Sequence, residues 1–129
     1  MAIVEDTALL ITASRDLAIG LAALLLSIPP LRHVERVHGP TAFRQRLATD
    51  RQPALVVLDT DQLGEATSGV IETMRAVSPE TRCLILSNSV AESRELASSG
   101  IEPVVIKGAD PVGLVATITN LLGDTASSS

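Results

Sequence analysis

Three apolar runs in this sequence end in residues that can do chemistry together. Ala-Leu-Val-Val-Leu-Asp closes on Asp59, Arg-Cys-Leu-Ile-Leu-Ser closes on Ser87, and Pro-Val-Val-Ile is followed directly by Lys107. A carboxylate held at the rim of an apolar run needs a cationic or hydrogen-bonding partner, because taking it out of water unpaired is costly. Lys107 is the only lysine against nine arginines. Its compact ammonium can approach a carboxylate and a phosphate alike. The plainer alternative makes Asp59 a loop residue that caps the next helix, and Lys107 its salt-bridge partner with no further role.

Other chemistries find less support. His33 and His38 lie five apart with no cysteine nearby and no H-E-x-x-H spacing, so no metal site is expected there. Cys83 sits inside an apolar strand, where a thiol is an inert core group. Ser14, Ser87 and Ser89 have no histidine base at any strand end and no G-x-S-x-G elbow, which argues against a hydrolase. No G-x-G-x-x-G and no phosphate-binding P-loop follows any strand. With no catalytic base in view, the chain is not expected to be an enzyme.

Composition narrows the classes further. The 129 residues suit one domain, and 46% hydrophobic against 19% charged residues describe an ordered globular chain. Phe43 is the one aromatic, which removes base-stacking platforms. A formal charge of −5 gives no electrostatic footprint for nucleic acid or an anionic membrane. The longest apolar run, the ten residues Leu17 to Leu26, is half of the roughly 20 needed for a membrane span. A single cysteine and the lack of a basic-then-apolar leader suggest the cytoplasm.

The elements that must position the three groups follow from period and punctuation. Strands are predicted at 8–13, 31–37, 54–59, 82–87 and 103–106, with helices at about 15–28, 40–50, 65–78, 90–99 and 110–122. Three strands lack polar alternation, as strands buried on both faces do. The second alternates, with His33 and Glu35 against Val34 and Arg36, and so suits an edge. Pro40 and Pro111 fit first helical turns, and Thr41 and Asp110 are candidate caps. Alternating strands and helices build a parallel sheet covered on both faces, whose chemistry gathers at the strands' carboxyl ends. The segment 123–129 is Ser-rich and reads as a flexible tail or the start of a linker, leaving 1–122 as the domain.

Over roughly residues 7–122 these features resemble the receiver domain of bacterial response regulators. ALVVLDTDQLG at 54–64 is similar to the phosphoacceptor strand and loop, LILSNS at 84–89 to the strand that ends in a hydroxyl residue, and SSGIEPVVIKGADPVGLVATI at 98–118 to the closing Gly…Lys segment. The Lys-Gly-Ala-Asp-Pro run resembles receivers that precede a helix-turn-helix DNA-binding domain. The resemblance implies a flavodoxin-like (CheY-like) (βα)5 fold of strand order 2-1-3-4-5. It also implies Asp59 as phosphoacceptor, with Ser87 and Lys107 at the phosphoryl site.

The departures from the family pattern are equally specific. Receivers carry two adjacent acids after the first strand to hold Mg²⁺, and the corresponding positions here are Thr12 and Ala13. A competing alignment uses Ile3-Val4-Glu5-Asp6, but Gly39 lies 34 residues after Glu5 and 27 after Thr12, and the family spacing favours the latter. Val104 stands where the family has its switch aromatic, and Asn88 where it prefers a small residue. Mg²⁺ wants several oxygen ligands, so Asp59 and Asp61 alone should bind it weakly or not at all. The expectation is an atypical, pseudo-receiver-like signalling module with impaired phosphorylation at Asp59. Its expected partners are a histidine kinase or other signalling protein and an output domain outside this chain. The alternative is a flavodoxin-like domain that binds a small anionic ligand at the strand ends. Because apolar residues circle the first helix and much of the last, Ile19, Leu21, Leu25, Val115, Ile118 and Leu122 are expected to form an interface for a homodimer or that output domain.

Overall fold

The computed structural model describes residues 3–49, 51–63, 66–100, 103–108 and 110–127. Five strands, β1 (Ile3–Ile11), β2 (His33–Val37), β3 (Arg51–Asp59), β4 (Arg82–Ser87) and β5 (Val104–Ile106), form one sheet. They pair in parallel in the order β2-β1-β3-β4-β5, the flavodoxin-like arrangement. The helices are α1 (Arg15–Leu26), α2 (Gly39–Leu47), α3 (Thr60–Leu63), α4 (Thr67–Val77), α5 (Val90–Ser98) and α6 (Pro111–Ser127).

The period of two along the inner strands divides the core. Leu9, Ile11, Val56, Leu58 and Ile85 face one way and pack with Phe43, Leu47, Val70, Ile71 and Met74 of α2 and α4. Ala8, Leu10, Leu55, Val57, Leu84 and Leu86 face the other way, against Ala18, Leu21 and Leu25 of α1 and Ile118 of α6. No helix among the described residues is long and apolar enough to cross a membrane.

Several expectations need correction. Leu21, Leu25 and Ile118 are 6%, 0% and 0% exposed, so three of the six proposed interface residues are core. They occupy the stripe that a sheet-covering helix must bury. Val115 and Leu122 are half-buried against the same cluster, whereas Ile19 is 61% exposed, together with Leu26 and Val112. Thr41 is not a cap, because α2 already begins at Gly39, whose φ of +80° suits a residue without a Cβ. Asp110 does cap α6, its carboxylate accepting from Val112 N–H at 3.1 Å. That helix runs to Ser127 rather than ending at Leu122, while Ser128 and Ser129 of the expected tail lie outside the described residues. Asp50, Gly64, Glu65, Ile101, Glu102 and Ala109 of the expected elements and motifs also lie outside them.

β1 starts at Ile3, so Glu5 and Asp6 belong to its first half rather than to a loop before it. Seven residues at about 3.3 Å each separate Glu5 from Thr12, which puts Glu5 about 23 Å from the carboxyl edge of the sheet. The Glu5 carboxylate pairs instead with Arg46 at 3.1 Å and Arg51 at 3.6 Å. The Glu5-Asp6 alignment is therefore excluded on geometry.

Candidate functional site

Asp59 and Ser87 end adjacent strands, and Lys107 follows the next strand along. β3 pairs with β4 through Asp59 and Leu86, and β4 with β5 through Ser87 and Ile106. The Lys107 N–H donates to the Ser87 carbonyl at 2.8 Å, extending the ladder one residue past β5. Gly108 then turns the chain away with a φ of +83°, a conformation that costs glycine little. Thr12, one residue past β1, brings a fourth strand end to the same edge.

Asp59 is 2% exposed, and both its oxygens are engaged. Oδ1 is ion-paired with the Lys107 ammonium and accepts from the Asp61 N–H at 2.9 Å. Oδ2 accepts from the Thr12 hydroxyl at 2.6 Å. The same ammonium donates to Asp61 Oδ2 at 2.7 Å, and Asn88 Nδ2 donates to Asp61 Oδ1. Lys107 therefore bridges two carboxylates, whose four oxygens all have donors. Burial alone would push the Lys107 ammonium down, but its hydrogen bonds to Asp59 and Asp61 reverse this and hold it above its ordinary range. Hydrogen bonds from Lys107 and then Asn88 hold the Asp61 carboxyl below its ordinary range. A cleft of about 540 Å³ opens over the group, lined by Ala13, Ser14, Leu17, Asp59, Asp61, Asn88 and Lys107.

The structure thus brings Asp59, Lys107, Thr12 and Asp61 into direct contact. Ser87 is buried, with its hydroxyl donating to the Ser89 carbonyl at 3.0 Å and accepting from the Ser89 N–H at 3.3 Å. It is turned into its own loop. Ala13 is exposed on the cleft wall. Val104 is half-buried, pairs with Ile85 across the sheet and packs against the core cluster. Burial pushes the Cys83 thiol up to about 12, consistent with an inert core group.

Two supporting residues were missed from the sequence. The Arg36 guanidinium on β2 donates to the Thr12 carbonyl at 3.0 Å, fixing the residue that holds Asp59. Glu92 on α5 accepts from Thr60 Oγ1 at 2.7 Å and from the Asn88 N–H at 3.1 Å, tying together the chain just after Asp59 and just after Ser87. The Thr60 hydroxyl, ahead of other contacts, holds the Glu92 carboxyl below its ordinary range. Only the Ser89-to-Glu92 spacing at the start of α5 hinted at this, as a capping pattern.

No protein-family model matches the chain, and no curated protein does. Solved structures with the same fold are clear. The signal receiver domain of a DNA-binding response regulator from Colwellia psychrerythraea 34H has a TM-score of 0.72 at 18% identity, covering 90% of this chain and 97% of that one. A CheY-like response regulator receiver domain protein from Methanospirillum hungatei JF-1 has a TM-score of 0.74 at 13% identity, covering 95% and 98%. NtrX from Brucella abortus has a TM-score of 0.74 at 17% identity, covering 99% of this chain and 28% of that one. The chain has the receiver-domain fold of response regulators.

Proposed function

We propose that the chain is an atypical receiver module that signals in the cytoplasm through protein contacts, with the Lys107 ammonium serving as the resident cation of its site. The observation that carries this reading is the bridge from Lys107 to both Asp59 and Asp61. A receiver's Mg²⁺ does not fit the donor set. All four carboxylate oxygens already accept hydrogen bonds, Thr12 offers a hydroxyl that donates rather than an acid that ligates, and no group of three or more metal-ligating side chains occurs among the described residues. Phosphoryl transfer to Asp59 lacks the charge that would normally offset the incoming group. Incubation with acetyl phosphate and millimolar magnesium, followed by intact-mass measurement, is expected to leave nearly all of the protein unmodified. Stoichiometric acyl phosphate on Asp59 would overturn this reading.

The geometry favours a signalling module over the anionic-ligand alternative. Two carboxylates against one ammonium leave the cleft with a net negative charge, so a free anion would meet repulsion. Partners of this reading are a histidine kinase or other signalling protein, with an output domain elsewhere in a longer chain. The occurrence of the fold as a minor part of NtrX supports such an arrangement. The exposed side chains Ile19 and Leu26, seven apart on one face of α1, are the surface of this reading for a two-fold contact. Sedimentation equilibrium is expected to show a concentration-dependent dimer that Ile19→Glu with Leu26→Glu abolishes. A wild-type monomer at high concentration would remove the dimer from the account.

A further inference from the structure

A second cavity, of about 310 Å³, lies beside the Asp59 cleft. Its walls include Leu17, Leu21 and Leu24 of α1, Val105 of β5 and Leu114 of α6. Packed layers are normally filled to crystal-like density, so space between a helix pair and its sheet has a cause. Gly20, on the cavity wall, contributes no side chain to fill it, and a Cβ there would meet no atom within 4 Å. An apolar hollow with a few polar groups at one end is the usual form of a small-molecule site, and the volume reaches the lower bound of about 300 Å³ for such sites.

The polar end specifies the ligand's charge. Asp16 and Lys107 line the cavity, but the Lys107 ammonium is already committed to Asp59 and Asp61. Asp16 is exposed in the first turn of α1 and makes no side-chain hydrogen bond or ion pair among the described residues. With the lysine's charge so engaged, Asp16 is, among the described residues, the one charged side chain on the cavity wall left without a counter-ion. The N-terminal dipole of α1, equivalent to about half a positive charge, does not cancel the Asp16 carboxylate.

We propose that this cavity binds a small amphipathic amine, with its hydrocarbon body between α1, α6 and β5 and its ammonium against Asp16. Such a ligand would touch Val105, Ile106 and Lys107 and so bear on the strand that carries the bridging lysine. The inference stands apart from the receiver reading, because it rests on a different cavity and needs no chemistry at Asp59.

Octylammonium, octanol and octanoate, titrated separately into ¹⁵N-labelled protein, test it. Octylammonium is expected to shift the amides of Gly20, Leu24, Val105 and Gly108 saturably. It should bind about fivefold more tightly than octanol, which is the most one exposed ion pair supplies, and octanoate should bind most weakly. Asp16→Asn should bring octylammonium to the octanol affinity. Gly20→Leu, a better helix former at an exposed position, should keep the fold and block all three probes. Unsaturable shifts, octanoate binding as tightly as octylammonium, or full binding by the Gly20→Leu protein would each overturn the proposal.

Discussion

Lys107→Ala is expected to lower the unfolding free energy by about 3 kcal/mol, read as a fall in urea midpoint at unchanged slope. Breaking a buried ion pair by removing one partner costs about 3–5 kcal/mol, because the remaining charge stays desolvated. Asp59 is 2% exposed and the Lys107 side chain 20%, so solvent can do little to compensate. The Thr12 hydroxyl and the Asp61 N–H remain as donors, which places the expected loss at the low end. The wild type also carries a pH signature. Lys107 is raised above its ordinary value in the folded state, so the stability it contributes is fully present below the unfolded pKa of about 10.4 and is lost as pH rises through the higher folded value. The alanine variant should lack that alkaline loss from Lys107. A change of less than about 1 kcal/mol would mean that the pair is effectively solvated, as surface pairs are.

Thr12→Asp combined with Ala13→Asp should make the stability of the protein depend on magnesium. Without added metal the double variant should be less stable by about 2–3 kcal/mol. Thr12 is fully buried and donates to Asp59, and the new side chain substitutes an acceptor-only anion against another carboxylate. Ala13 is exposed, so the second acid adds little cost. With magnesium the loss should be recovered, since a ligand of the folded state at 100 times its Kd stabilises by about 2.7 kcal/mol. Thermal melts with and without magnesium separate the two proteins, with the wild type unresponsive and the variant strongly stabilised. A variant that ignores magnesium would show that Thr12 and Ala13 do not occupy the positions where receivers hold their acids.

What was legible in the sequence was whatever depended on local pattern. Asp59 after five apolar residues announces the end of a buried strand, and the alternation of His33 to Val37 marks an edge, because both signals arise within one element. The start of β1 was hidden, since Glu5 and Asp6 look like a loop until Arg46, 41 residues away, supplies a partner for Glu5. The apolar ring around α1 obscured which stripe faces the sheet. Only the packing of Ala18, Leu21 and Leu25 separates core from surface. Arg36 and Glu92 act across 24 and 32 residues, a separation at which spacing carries no signal.

The central claim is that an ammonium, and not a divalent cation, balances the carboxylates of this site. A magnesium titration of the wild-type protein, followed through the amide resonances of Thr12, Asp59, Asp61 and Lys107, tests it most directly. The account predicts no saturable displacement of those resonances through the millimolar range. Saturable shifts centred on Asp59, with a Kd in that range or below, would contradict it.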